Sequence, residues 1–283
     1  MKRKAATAHE AETPSGRQGQ KTLSRRVSAH LLVIAGFVLL FVAGAMLAYR
    51  QYAYYQQDKV NEDLASHVTV DTTSSESSPV IVDWDSLKAI DPDIVGWLYV
   101  PGTNINYAVY QGSDNEYYLR HNAEGTWTVG GQLFLDYENS SPGLIDSQSI
   151  IYGHHLQNGT MFEQIAQMDQ QETFNRQDTI WYLTESKAYQ LTPLFMYDTD
   201  SDDLTARTFT FSSEDEFHTY LAARLNRAVT RCDGADKIIE GISHVLTLST
   251  CVYYDTYAEG HGRGLVVCAP IEEVRSALSI SSA

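Results

Sequence analysis

The pattern of apolar and polar positions changes character twice along this 283-residue chain. Residues 31–48 form an unbroken apolar run with no charge. As a helix rising 1.5 Å per residue it extends about 27 Å, close to the roughly 30 Å of a bilayer's hydrocarbon core. Tyr49, Tyr52, Tyr54 and Tyr55 follow as an interfacial belt, and Arg25 and Arg26 precede the run. This arrangement predicts an uncleaved anchor over 31–50, a cytoplasmic basic tail over 1–30, and everything later outside the cell. The competing reading is a signal peptide cut after Ala43, Ala45 or Ala48, for which the apolar run is long. Residues 51–79 are polar and end in a Ser/Thr-rich stretch closed by Pro79, a linker composition, with a short helical continuation of the anchor around 56–65.

From residue 80 the pattern becomes one of short apolar runs separated by turn residues. Runs over 94–100, 105–110, 131–137, 149–152, 179–184, 188–197, 244–251 and 264–269 read as strands. Helices are predicted over 83–90, with Asp83 as N-cap, over 161–168, and over 213–229. In the last, Ser213 and Glu216 have capping-box spacing, and Phe217, Leu221, Leu225 and Ala228 share one face. Many short strands without a βαβ rhythm predict a mainly β fold, a barrel with attached helices, filling a single domain over 80–283. The chain shows no internal repeat.

Charge narrows the function. The formal net charge is −16, but the first thirty residues carry +5, so the remainder carries −21. A body this acidic repels phosphate, which excludes nucleic acid as a partner and favours cationic or amine-bearing ones. Three cysteines are too few for a disulfide scaffold.

The candidate chemistry lies at strand ends. His244-Val245-Leu246-Thr247-Leu248-Ser249-Thr250-Cys251 is a strand running into a thiol. Arg263 opens the next apolar run twelve residues later, and the run over 149–152 ends in Gly153-His154-His155. A thiol attacks a carbonyl as the thiolate, an imidazole exchanges protons near neutral pH, and a guanidinium offers permanent charge to an oxyanion. Cys251, His154 and Arg263 fill those roles. If the strand continues, His154 and His155 point apart, and His155 is read as a supporting loop residue. Ser249 and Thr250 are candidate substrate-groove residues.

These motifs resemble the sortases, the membrane-anchored cysteine transpeptidases of Gram-positive bacteria. Thr247-Leu248-Ser249-Thr250-Cys251, Tyr152-Gly153-His154 and Gly262-Arg263-Gly264 carry the likeness. Asp93-Ile94-Val95-Gly96-Trp97, Asp114-Asn115-Glu116-Tyr117-Tyr118-Leu119, Phe134-Leu135-Asp136-Tyr137 and Gly159-Thr160-Met161-Phe162 are similar to class B members in particular. The resemblance implies an eight-stranded sortase-type β-barrel behind a transmembrane helix. It also implies that Cys251 attacks a threonyl carbonyl in the carboxy-terminal sorting signal of a secreted protein. The acyl-enzyme then passes to an amine of a peptidoglycan precursor or a pilin lysine. His154 is the implied acid/base and Arg263 the implied oxyanion group; no cofactor is implied.

Other readings remain open at this point. The same acyl-enzyme with water as acceptor gives a cysteine endopeptidase, and a cysteine that only packs gives a membrane-tethered binding module. His154, His155, His244, Cys251 and His261 are zinc-capable, but their spacing closes no metal site, so no metal is expected. Cys232 and Cys268 either pair outside the cell or stay as a loop thiol and a buried strand thiol.

Overall fold

The computed structural model describes residues 17–71, 78–253, 257 and 260–280. The chain divides into two compact units, Met1–Tyr52 and Ala53–Ala283. In the first unit the apolar run lies in a helix, α1 (Arg17–Ala65), whose most apolar window has no buried residue and is long and apolar enough to cross a membrane.

The second unit opens with the last turns of α1. Gln57, Asn61 and Leu64 share one face and are buried. Gln57 Nε2 donates to the Gly131 carbonyl at 2.8 Å, and Leu64 packs beside Trp97, Ala108 and Tyr118. A small antiparallel pair follows, β1 (Val68–Val70) with β2 (Val80–Val82). The stretch read as linker therefore contributes helix, strand and buried contacts to the second unit, which opens at Ala53. Its polar composition hid this, because the buried face of the helix uses two amides that find partners only in distant loops. Helix α2 (Trp84–Ile90) starts where expected: Asp83 Oδ1 accepts the Ser86 N–H at 3.1 Å.

Nine further strands form the barrel sheet: β3 (Ile94–Tyr99), β4 (Asn106–Tyr110), β5 (Leu133–Leu135), β6 (Gln148–Tyr152), β7 (Ile180–Leu183), β8 (Ala188–Asp200), β9 (Ala228–Arg231), β10 (Val245–Cys251) and β11 (Gly262–Pro270). Their order is β11-β10-β6-β5-β4-β3-β7-β8-β9, and β8 also pairs with β11. That last pairing closes eight strands into a ring, as the sequence resemblance implied, with β9 lying along β8 outside it. The pairs β4/β5 and β6/β10 are parallel; the rest are antiparallel. Short helices fill the connections: α3 (Tyr117–Arg120), α4 (Glu163–Ala166), α5 (Gln171–Arg176), α6 (Glu214–Leu225), α7 (Ala235–Ile238) and a terminal α8 (Ile271–Ile280). The predicted helix over 161–168 is shorter, because Met161 takes a positive φ of 57° and turns the chain before α4.

Alternation along β10 and β11 divides their side chains between two cores. Leu246, Leu248, Val266 and Cys268 face the barrel interior with Leu98, Val109 and Ile151. Val245, Leu265 and Val267 face outward onto α6, where Phe217, Leu221 and Leu225 cover them. Both faces are dry, which is why these strands read as continuous apolar runs. At the start of α6 the Ser213 hydroxyl accepts the Glu216 N–H at 3.2 Å, but the Glu216 carboxylate turns to the N–H and hydroxyl of Ser212, so half of the predicted capping box is made one residue early. Leu221 is fully buried. Leu221→Ala should lower unfolding stability by about 2–5 kcal/mol, the usual cost of such a cavity, measured by denaturant titration with the m-value unchanged.

Candidate active site

Strand direction determines what meets at one rim. Because β6 runs parallel to β10, the ends of both strands, Tyr152 and Cys251, lie at the same end of the barrel. Because β11 runs antiparallel, its beginning lies there too, with Arg263 directly opposite Cys251. The ladder continues one step past Tyr152, where the Gly153 N–H donates to the Ser249 carbonyl at 3.1 Å. A Cβ at Gly153 would sit 2.5 Å from the Leu133 side chain and 2.6 Å from the Phe162 ring, so a larger residue here would displace both beside the turn that brings His154 and His155 to the rim.

The two imidazoles have different surroundings. His154 Nε2 lies 2.9 Å from the Leu119 carbonyl. A carbonyl only accepts, so Nε2 carries the proton and Nδ1 holds the lone pair of the neutral ring. Burial pushes this imidazole below its ordinary pKa; the charges of Arg120 and Arg263 act the same way, and the Leu119 hydrogen bond opposes them. His155 Nδ1 instead donates to the Cys251 carbonyl at 3.1 Å, and its ring lies 5.2 Å from that of Tyr253.

Cys251 is partly exposed. Cys268 lies inside the barrel, where burial raises its thiol pKa, and burial pushes Cys232 up to about 11. All three cysteines are free. Cys268 pairs with Pro193 on one edge of β8, while the Cys232 N–H donates to Leu194 across the other edge, so the body of β8 separates the two side chains. Of the two sequence alternatives, unpaired thiols are what the fold contains.

Arg263 Nη1 donates to the Gly260 carbonyl at 2.6 Å and the Gly262 carbonyl at 3.0 Å, which holds the guanidinium against its own loop. Its charge acts on both His154 and Tyr253, and the latter also feels Cys251. Ser249 and Thr250 are both buried, and among the described residues the Thr250 hydroxyl has no partner. The structure thus brings the predicted residues to one rim, while the Cys251 sulfur and the His154 ring are not hydrogen-bonded to each other.

Sequence reasoning missed the groups behind the rim. The Leu119 carbonyl and a buried carboxylate, Asp136, lie within motifs quoted above only as resemblance, and no residue type marked them as supports. Asp200, Asp202 and His261 bring one potential ligand atom each within 4.8 Å of one another. Two of them are exposed, and the Asp200 and Ser201 side chains already make turn contacts there.

The sortase domain family matches residues 98–271. This chain belongs to the sortase family. Its curated relatives place it among the class B cysteine transpeptidases: it is 29% identical to sortase B of Staphylococcus aureus over 238 residues, covering 83% of this chain and 95% of that protein. The solved sortase B of Clostridium perfringens is 32% identical with a TM-score of 0.58, covering 65% of this chain and 97% of that one. A Staphylococcus aureus sortase B–substrate complex is 29% identical with a TM-score of 0.57, covering 65% and 82%.

Exposure ranks this sortase's thiols. In the native protein iodoacetamide should alkylate Cys251 fastest, Cys232 at least about tenfold more slowly given its raised pKa, and Cys268 only after unfolding. Peptide mass spectrometry measures the order, and all three should react after denaturation without reductant.

Proposed function

We propose that this sortase cleaves a carboxy-terminal sorting signal of secreted proteins and transfers the threonyl carboxyl to a primary amine, with Cys251, His154 and Arg263 as the reacting set. Neutral His154 accepts the Cys251 thiol proton, and the sulfur attacks the threonyl carbonyl. The Arg263 guanidinium turns from its loop carbonyls to the oxyanion. His154 then gives its proton to the departing amine as the tetrahedral centre collapses to a thioester. An incoming amine attacks that thioester, and His154 takes its proton and passes it to the departing sulfur, which restores the thiol and the neutral ring. The observation that carries this reading is the shared rim: Cys251 opposite Arg263 in register, with the Gly153-His154 turn hydrogen-bonded onto β10.

The acceptor in this reading is an amine of a peptidoglycan precursor in the Gram-positive cell wall, or a pilin lysine in pilus assembly; the two share their chemistry. Arg25 and Arg26 ahead of the apolar run support a cytoplasmic tail over 1–30, an anchor over 31–50 and a catalytic domain outside the cell. Ser249 and Thr250 line the substrate groove. The Thr250 hydroxyl, which has no partner among the described residues, supports that role, since a buried hydroxyl without a partner is costly unless a ligand uses it.

The bond from His155 to the Cys251 carbonyl favours a second assignment, His155 as the proton carrier. One experiment separates the readings. The full chain in detergent is incubated with Asn-Pro-x-Thr-type and Leu-Pro-x-Thr-Gly-type peptides and a choice of amines, and the acyl-enzyme is trapped by mass spectrometry. A thioester on Cys251 ending in threonine is expected. Hydrolysed peptide with every amine would make the protein an endopeptidase, and no adduct would leave a binding module. Cys251→Ala and His154→Ala should abolish turnover. His155→Ala should cost less than about tenfold and Arg263→Lys about a hundredfold, since a point ammonium replaces a planar fork. Thr250→Val should lower turnover without lowering Tm. A dead His155→Ala beside an active His154→Ala would exchange the two histidines' roles.

A further inference from the structure

Asp136 directly follows β5 and its side chain is fully buried. Four groups from different parts of the chain converge on its carboxylate. Arg207, at the end of a short 3-10 turn after β8, donates Nε at 2.9 Å and Nη2 at 3.1 Å as a two-pronged fork. The Tyr152 hydroxyl donates at 2.7 Å, Asn115 Nδ2 at 2.9 Å, and the Glu138 N–H at 3.0 Å. Arg207 is itself fixed from outside: Nη2 also reaches Glu138 at 2.6 Å, and its guanidinium lies 6.0 Å from the Tyr137 ring and 5.9 Å from that of Phe209.

Two of these contacts lead to one imidazole. Tyr152 is two residues before His154, on the strand end that carries it. Asn115 is four residues before Leu119, whose carbonyl accepts from His154 Nε2. The Asn115 amide is held at both ends, since its Oδ1 accepts the Tyr137 N–H at 3.0 Å. The α3 turn between Asn115 and Leu119 is fixed as well, with Asp114 accepting the Glu116 and Tyr117 N–H groups at 2.8 Å. The carboxylate thus holds both the chain that delivers the ring and the short helix that binds its Nε2–H. A group that needed only to bury charge would require the Arg207 fork alone; nothing in that pair explains why the remaining lone pairs of Asp136 are spent on these two arms.

We propose that Asp136, locked by Arg207, is the positioning residue of this active site, and that its bonds to Tyr152 and Asn115 hold the His154 ring in the tautomer with its proton on Nε2. The proposal rests on the assignment of His154 as the proton carrier. Its consequence is chemical: with Nε2–H committed to Leu119, only Nδ1 can exchange a proton with sulfur or amine. Loosening either arm lets the ring turn or change tautomer, so kcat falls while substrate affinity holds.

The test compares Tyr152→Phe and Arg207→Lys with the parent chain in detergent. The first removes one hydroxyl from the arm on the His154 strand; the second replaces the fork by a point charge. For each, kcat and KM are measured across pH, and the ring nitrogens of His154 are read by 15N NMR, which needs no turnover. Tyr152→Phe should lower kcat about tenfold with KM within twofold. The acid limb of the profile should move up toward 6.5 as the ring is released, and the 15N signal should show mixed tautomers; Arg120 and Arg263, the charges acting on that ring, are untouched by either variant. Arg207→Lys should repeat the pattern, and if it fails to fold, Tyr152→Phe decides alone. A lower Tm with kcat, acid limb and His154 tautomer all unchanged would reduce Asp136 to a structural ion pair and overturn the proposal. If His154→Ala stays active, the assignment of the proton carrier fails, while the tautomer reading still judges the positioning.

Discussion

Parallel pairing of β6 with β10 is the constraint on which the site depends. Parallel strands bring like ends together, so the carboxyl ends of two strands separated by a long crossover arrive at one rim. The antiparallel return through β11 adds its amino end to the same place. Had β6 paired antiparallel, Tyr152 and the Gly153 turn would lie at the opposite mouth from Cys251. Barrel closure then makes the geometry rigid: β8 hydrogen-bonds β7 on one edge and β11 on the other, so the rim has no free edge along which strands can slip.

Packing sustains that register from both sides. Shifting β10 by one residue would move Leu246 and Leu248 out of the interior and turn Thr247 and Ser249 inward. The outer cover supplied by α6 penalises the same slip, because Val245 would leave Phe217 and Leu221. Cys251, Arg263 and the Gly153-His154 turn are therefore carried on a scaffold whose packing favours one alignment. That arrangement suits a sortase, whose nucleophile must stay rigid while an extended peptide enters and a second amine-bearing substrate replaces its leaving group.

The electrostatics at the rim follow from the same arrangement. Burial between α3 and the β6 turn pushes the His154 imidazole below its ordinary pKa, which favours the neutral ring, and two guanidinium charges act in the same direction. A neutral ring suits a cycle that begins by taking a proton from a thiol. Behind it, buried Asp136 is neutralised by Arg207 and joined to two elements that flank the ring.

The linear chain made some of this legible and not the rest. Strands 244–251, 264–269 and 149–152 were readable because they are dry on both faces, which forces a continuous apolar run, and the thiol, imidazole and guanidinium were readable because each ends such a run. The inward face of residues 57–64 was not, since Gln57 and Asn61 look like linker until Gly131 and Met161 arrive beside them. Asp136 and Arg207 are 71 residues apart, and no local pattern in the chain pairs them. What the amino-acid order determined by itself was the eight strands of the ring and the chemistry at their ends, because local patterning answers to nearest neighbours. Which ends share a rim, which histidine ring is held, and which carboxylate holds it were decided only by strand register and barrel closure, since those depend on the packing of the whole domain at once.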